Sequence, residues 1–161
     1  MGDPTFAMRD LKIHNALKKK DLILTELYHG FVSLALNAKI PIIIFTPTWR
    51  ANYERLAEAN ISENVNRDAV RLLNGLREAW DKKEEHIYIA GSIGCRNDAY
   101  RPEKALSKEE ARDFHQWQID QLCPGSIDLM VAGPSPAVSE ASGIALAAAR
   151  IKKGKHTHEF F

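Results

Sequence analysis

Along the chain, short unbroken apolar runs alternate with longer stretches in which apolar residues return every three or four positions. The runs suit strands buried beneath helices, and the spaced pattern suits helices with one buried face. Between Asp21 and Lys39, the residues Leu24, Leu27, Phe31, Leu34 and Ala38 form a helical stripe interrupted by Gly30. Pro41 then introduces Ile42-Ile43-Ile44-Phe45-Thr46, whose β-branched, continuously apolar character predicts a strand covered on both faces. A short helix is expected over 52–59, and Ser62 is the expected N-cap of the next. That helix carries Val65, Ala69, Leu72, Leu73, Leu76 and Trp80 inward and ends near Lys82-Lys83, where cations suit its dipole.

The second half repeats the scheme. His86 to Ala90 reads as a strand closed by Gly91-Ser92-Ile93-Gly94. Ser107 with Glu110 forms a capping box that opens a helix carrying Ala111, Phe114, Trp117 and Leu122 inward, stopped by Pro124-Gly125. Ile127 to Ala132 is the third strand, Gly133-Pro134-Ser135-Pro136 a loop, and Ala137 to Ile151 an alanine-rich last helix. Strands alternating with helices predict right-handed βαβ units and a parallel sheet, an α/β fold. One domain is expected over 21–151, with a lead-in or expression scar over 1–20 and a flexible tail over 152–161. A complete (β/α)₈ barrel normally takes at least ~200 residues, and this chain has 161.

Composition narrows the function classes. Twenty-two Lys and Arg against 21 Asp and Glu leave a net charge of +1, with no electrostatic footprint for nucleic acid or an anionic membrane. No apolar run approaches the ~20 residues of a membrane span, and Met1 to Phe6 lacks signal-peptide character. Two cysteines, Cys95 and Cys123, are too few for a disulfide framework, and the expected setting is reducing and cytoplasmic.

In parallel α/β folds chemistry collects at the carboxyl ends of strands, so three loops are the candidates: 46–52, 91–100 and 133–139. In the first, which runs to Asn52, Thr46 and Thr48 can bind a polar substrate with Trp49 packed over it, or the threonines can cap the next helix with Trp49 in the core. In the second, Gly91, Ser92 and Gly94 can let backbone N–H groups approach an anion, or simply form the turn. Arg96, Asn97 and Asp98 read as turn chemistry. A lone Cys95 suits an inert small residue better than a nucleophile or metal ligand, and His156 with His158 matches no zinc framework. The acidic pairs Glu84-Glu85 and Glu109-Glu110 sit at surface-like positions, and neither a Walker sequence nor a Gly-x-Ser-x-Gly or His-Glu-x-x-His motif is present. The residues alone name no catalytic set.

Four segments in register resemble the homocysteine S-methyltransferase family, which includes betaine- and S-methylmethionine-dependent enzymes. They are Phe45 to Leu56 with its Thr-x-Thr-aromatic-x-Ala-Asn pattern, Ile89 to Gly94, Leu106 to His115, and Pro136 to Ala141. The resemblance covers roughly residues 40–150 and implies part of a (β/α)₈ barrel passing a methyl group from an onium donor to a thiol. It implies substrate binding by Thr46, Thr48, Trp49, Asn52, Gly91, Ser92 and Gly94. Zinc is implied as cofactor, yet the family's cysteine ligands have no matching positions here, so no metal ligand is assigned. The Asp-Gly-Gly first-strand motif is also unmatched. Gly133-Pro134 stands where the family commonly has Glu-Thr, and Cys95 where it has proline. Two other readings stand beside this one: a non-catalytic binding or assembly subunit, and a small doubly wound protein binding an anion at Gly91 to Gly94. For the barrel reading, cut strand edges predict association with a second copy or with the rest of a longer barrel.

Overall fold

The computed structural model describes residues 22–80, 87–150 and 159–160. The elements run α1 (Leu22–Ala38), β1 (Ile42–Phe45), α2 (Tyr53–Glu58), α3 (Val65–Trp80), β2 (Ile87–Ile93), a 3₁₀ turn (Pro102–Lys104), α4 (Lys108–Leu122), β3 (Leu129–Ala132), α5 (Val138–Ala149) and β4 (Glu159–Phe160). The expected ends at Lys82-Lys83, the lead-in over 1–20, and His156 and His158 lie outside the described residues.

All neighbouring strands pair in parallel, in the sequential order β1-β2-β3-β4. The register aligns Ile42 with Ile87 and Ile44 with Ile89, then Gly91 with Met130 and Ile93 with Ala132. These alternate positions share one face of the sheet. That face packs against Val32 of α1, Val70, Leu73 and Leu76 of α3, Ile119 and Leu122 of α4, and Ile144 and Ala147 of α5. The helices therefore lie on one side. Sequential order with one-sided helices is the winding of a barrel wall, whereas a doubly wound sheet reverses its order and is covered on both faces. The fold is the expected part of a barrel, and the alternative of a small doubly wound protein is corrected.

The opposite face is open over β1 and the start of β2, and closed again at Ala90 and Leu129, which are buried. Ile43, Phe45 and Tyr88 are 46%, 44% and 42% exposed, so β1 is covered on one face and not on two as its composition suggests. Its β-branched run reflects a face that is apolar without being covered.

Local chemistry explains several boundaries. Ser107 accepts from the Glu110 N–H while the Glu110 carboxylate accepts from Ser107 N–H and Oγ–H, the reciprocal capping box expected at the start of α4. The N-cap of α3 is Asn64 and not Ser62: its Oδ1 accepts from the Arg67 N–H and its amide donates to Gln121 of α4. In α1 the buried residues are Val32 and Ala35, with Tyr28 and Leu36 packed beside them, while Leu27, Phe31 and Leu34 are exposed. The helix turns a different face to the sheet from the one its periodicity singles out. β2 continues through Gly91 and Ser92 to Ile93, because β3 pairs with it there. Asp128, just before β3, ties the layers together, accepting from Arg77 of α3 at 2.6 Å and from the Ile89 N–H at 2.7 Å.

Candidate functional site at the strand carboxyl ends

The first loop closes on β2 through a hydroxyl ring. Thr48 Oγ–H donates to the Ser92 carbonyl at 2.9 Å, so the 2.7 Å contact between the two threonine hydroxyls must run from Thr46 to Thr48. Thr46 Oγ1 in turn accepts from the Ser92 N–H at 2.9 Å. The Thr46 side chain thereby replaces the main-chain carbonyl that a longer β1 would present to β2. Both threonines are buried, at 2% and 1% exposure. A buried polar group with every bond satisfied specifies a single arrangement, and here that arrangement is the mouth of two strands.

Trp49 carries the closure to the third strand end. Its Nε1–H donates to the Gly133 carbonyl at 2.6 Å, and the Gly133 N–H donates to the Ile93 carbonyl. A Cβ on Gly94 would lie 2.6 Å from both Trp49 Nε1 and Trp49 O, so only glycine fits beneath the indole. Gly94→Ala is expected to displace the Trp49 ring and cost about 1–3 kcal/mol. A lower urea midpoint at unchanged slope, with altered tryptophan fluorescence, would report it. Gly91 faces the helices, where a Cβ would press on Ile127 and Leu122. Asn52 is buried as the N-cap of α2, its Oδ1 accepting from the Arg55 N–H at 3.1 Å. Ser92 alternates onto the same face as Tyr88 and the buried Ala90, is itself half-buried, and its hydroxyl carries no hydrogen bond among the described residues.

Thr46, Thr48, Trp49, Ser92 and Gly94 therefore meet at one end of the sheet, with Gly91 and Asn52 supporting it from the helix side. The loop after β2 is fixed by charged groups, among them Arg96, which the sequence offers only as turn chemistry. Arg96 forms a two-pronged pair with Glu54 of α2, at 2.6 and 3.0 Å, and its guanidinium lies over the Phe114 ring. Arg50 donates to the Cys95 and Asn97 carbonyls and stacks on Trp49. Glu140, fully buried at the start of α5, accepts from the Arg96 N–H at 2.9 Å, the Leu106 N–H at 3.3 Å and His115 Nε2 at 3.1 Å. Burial alone would raise the Glu140 pKa; the hydrogen bonds from His115, Arg96 and Leu106 outweigh it and hold the carboxyl below its ordinary range. The ionised carboxylate only accepts, so His115 carries its proton on Nε2.

Cys95 is 1% exposed and its thiol donates to the Asn97 carbonyl. Burial raises its pKa above the ordinary thiol value, against the pull of Arg50, and burial pushes Cys123 up to about 12. Neither is an activated nucleophile. Among the described residues no group of three or more His, Cys, Asp or Glu side chains is arranged to hold a metal ion. The zinc that the resemblance implies does not fit this donor set. Among those same residues no helix is long and apolar enough to cross a membrane.

The homocysteine S-methyltransferase family model matches residues 7–158. The chain belongs to that family. Two solved structures of homocysteine methyltransferase MmuM from Escherichia coli share this homocysteine S-methyltransferase fold. The metallated form superposes at TM-score 0.75 with 19% identity over 91% of this chain and 54% of its own. The oxidized form gives 0.75 and 18% over 99% and 56%. At that identity the likeness is one of fold, and this family member spans about half the length of those relatives. No curated protein matches the chain by sequence.

Proposed function

We propose that these strand ends form the substrate side of a methyltransferase barrel that moves a methyl group from an onium donor to the sulfur of homocysteine. The observation that carries this reading is the family match over residues 7–158. The geometry supports it. In such a displacement the thiol gives up its proton to solvent, the thiolate sulfur takes the methyl carbon and the bonding pair leaves with a neutral sulfide or amine, so catalysis rests largely on in-line placement. A mouth locked by the Thr46–Thr48–Ser92 ring and the Trp49–Gly133 bond is preorganised for placement, and Ser92 offers a hydroxyl on the sheet face away from the helices. The described residues include no group arranged to hold a metal ion at the sulfur. Two free cysteines support a reducing, cytoplasmic setting.

Calorimetric titration of the chain with homocysteine and with S-methylmethionine tests the reading. Saturable binding is expected, weakened in Ser92→Ala by about 0.5–1.5 kcal/mol for one neutral hydrogen bond. Heats of dilution alone for both compounds would refute it. Elemental analysis is expected to find zinc well below one atom per purified chain, because a catalytic site needs about three protein ligands. One tightly held zinc per chain would overturn that expectation.

A further inference from the structure

We propose that Gln118 and Asn66 are positioning residues for the substrate side of the mouth, setting the 48–51 turn from the helix layer. The assignment rests on the methyl-transfer reading above. Both side chains are enclosed, at 1% and 0% exposure. They come from different helices, Asn66 from the first turn of α3 and Gln118 from α4, and neither lies in the three strand-end loops.

Carbonyl oxygens only accept, and that fixes the orientation of both amide groups. Gln118 Nε2 donates to the Thr48 carbonyl at 2.7 Å and to Asn66 Oδ1 at 3.1 Å. Asn66 Nδ2 donates to the Ala51 carbonyl at 2.8 Å. The amide pair therefore grips the turn at both ends. The turn itself is already closed by the Ala51 N–H on the Thr48 carbonyl at 2.9 Å. What the amides add is its placement against α3 and α4. Between the two gripped carbonyls lie Trp49 and Arg50, whose side chains reach the other strand ends. Trp49 donates to the Gly133 carbonyl, and Arg50 to the Cys95 and Asn97 carbonyls. Thr48 carries the hydroxyl bond to Ser92. A displaced turn would thus displace all three loops.

The chemistry of the pair favours placement over stability. Gln118 shares the buried positions of α4 with Phe114, Ile119 and Leu122. Its Oε1 is buried with no hydrogen-bond partner among the described residues, which costs free energy that an apolar side chain would not. Methionine at 118 removes that unpaired oxygen and leaves another at Asn66 Oδ1, while the Thr48 carbonyl keeps the Ala51 N–H. Among these groups one unpaired oxygen is exchanged for one. The lasting difference is the lost tie between α4 and the turn.

Calorimetric titration of Gln118→Met with homocysteine is expected to show binding about 10-fold weaker than in the unsubstituted chain, the scale of one well-placed hydrogen bond. The double substitution Asn66→Leu, Gln118→Met removes both amides together, so neither leaves the other unpaired, and the same loss is expected. Urea titration establishes that each protein is folded where affinity is measured. Gln116→Met, whose amide bonds Asp120 within the same helix, is expected to keep full affinity. In the folded variants without ligand, the NMR resonance of the Trp49 Nε1–H is expected to move, which reduced stability alone does not cause. Full affinity in the folded Gln118→Met or double variant, an unmoved Trp49 resonance, or an equal loss in Gln116→Met would overturn this assignment alone. Absence of binding by the unsubstituted chain would overturn the methyl-transfer reading and this assignment with it.

Discussion

Glu140→Ala is expected to destabilise the fold by about 3–5 kcal/mol, the range for removing one partner of a buried charged network. The carboxylate is fully buried and serves three donors on two different segments: the Arg96 and Leu106 N–H groups of the β2–α4 connection, and His115 of α4. Alanine leaves all three without an acceptor in a place water does not reach, and each buried unsatisfied group costs ~1–3 kcal/mol, not additively. Glutamine does not rescue, since its NH₂ would face donors. The pH dependence has a definite sign. A carboxyl held below its ordinary value of 4.5 in the folded chain contributes stability that is present above that value. That contribution is lost as pH falls through the lower folded pKa. Glu140→Gln should therefore flatten part of the acid limb of stability against pH. Urea titrations of both proteins from neutral pH to below 4.5 would show it, and parallel acid limbs would contradict the account.

Gly143→Ala is expected to destabilise by about 1–3 kcal/mol, the cost of overpacking, even though alanine is the better helix former by ~1 kcal/mol. A Cβ on Gly143 would lie 2.4 Å from Ala111 Cβ, 2.5 Å from the Lys108 carbonyl and 2.8 Å from the Arg112 N. Two of those neighbours are backbone of α4, so relief requires moving one helix against the other. The control is Gly75→Ala in α3, where a Cβ would meet nothing within 4 Å. There the propensity gain stands alone, and stabilisation by about 0.5–1 kcal/mol is expected. Urea midpoints moving in opposite directions for the two substitutions would separate close helix packing from helix propensity; equal signs would refute the assignment.

These residues also show what the sequence can and cannot disclose. The capping box at Ser107 and Glu110 was legible because both partners lie within one turn. So was the inward stripe of α3, where Val65, Ala69, Leu73 and Leu76 are buried, because its other face is charged and only one orientation buries apolar surface. In α1 the apolar residues surround the helix, so the periodicity singled out Leu27, Phe31 and Leu34, whereas Tyr28, Val32 and Ala35 on the other side face the sheet. The extension of β2 past Gly91 was hidden because the ladder there depends on β3, some 40 residues on. Glu140 reads in sequence as an ordinary acid in the first turn of a helix. Its donors lie 25 to 44 residues away, and only the assembled loops reveal it. The strand-end residues were legible through position alone, since parallel α/β folds gather chemistry there. What position could not show was the division of labour, in which Thr46 and Thr48 hold the mouth in shape while Ser92 turns its hydroxyl to the face away from the helices.

The central claim is that this mouth receives the substrates of a homocysteine methyltransferase barrel. Amide-resolved NMR of the labelled chain, titrated with homocysteine and then with S-methylmethionine, tests it most directly. The account predicts saturable shifts clustered at Thr46 to Arg50, Ser92 to Asn97 and Gly133, with the remainder of the sheet and helices unmoved. Shifts confined to residues away from the strand carboxyl ends, or none at saturating concentration, would contradict it.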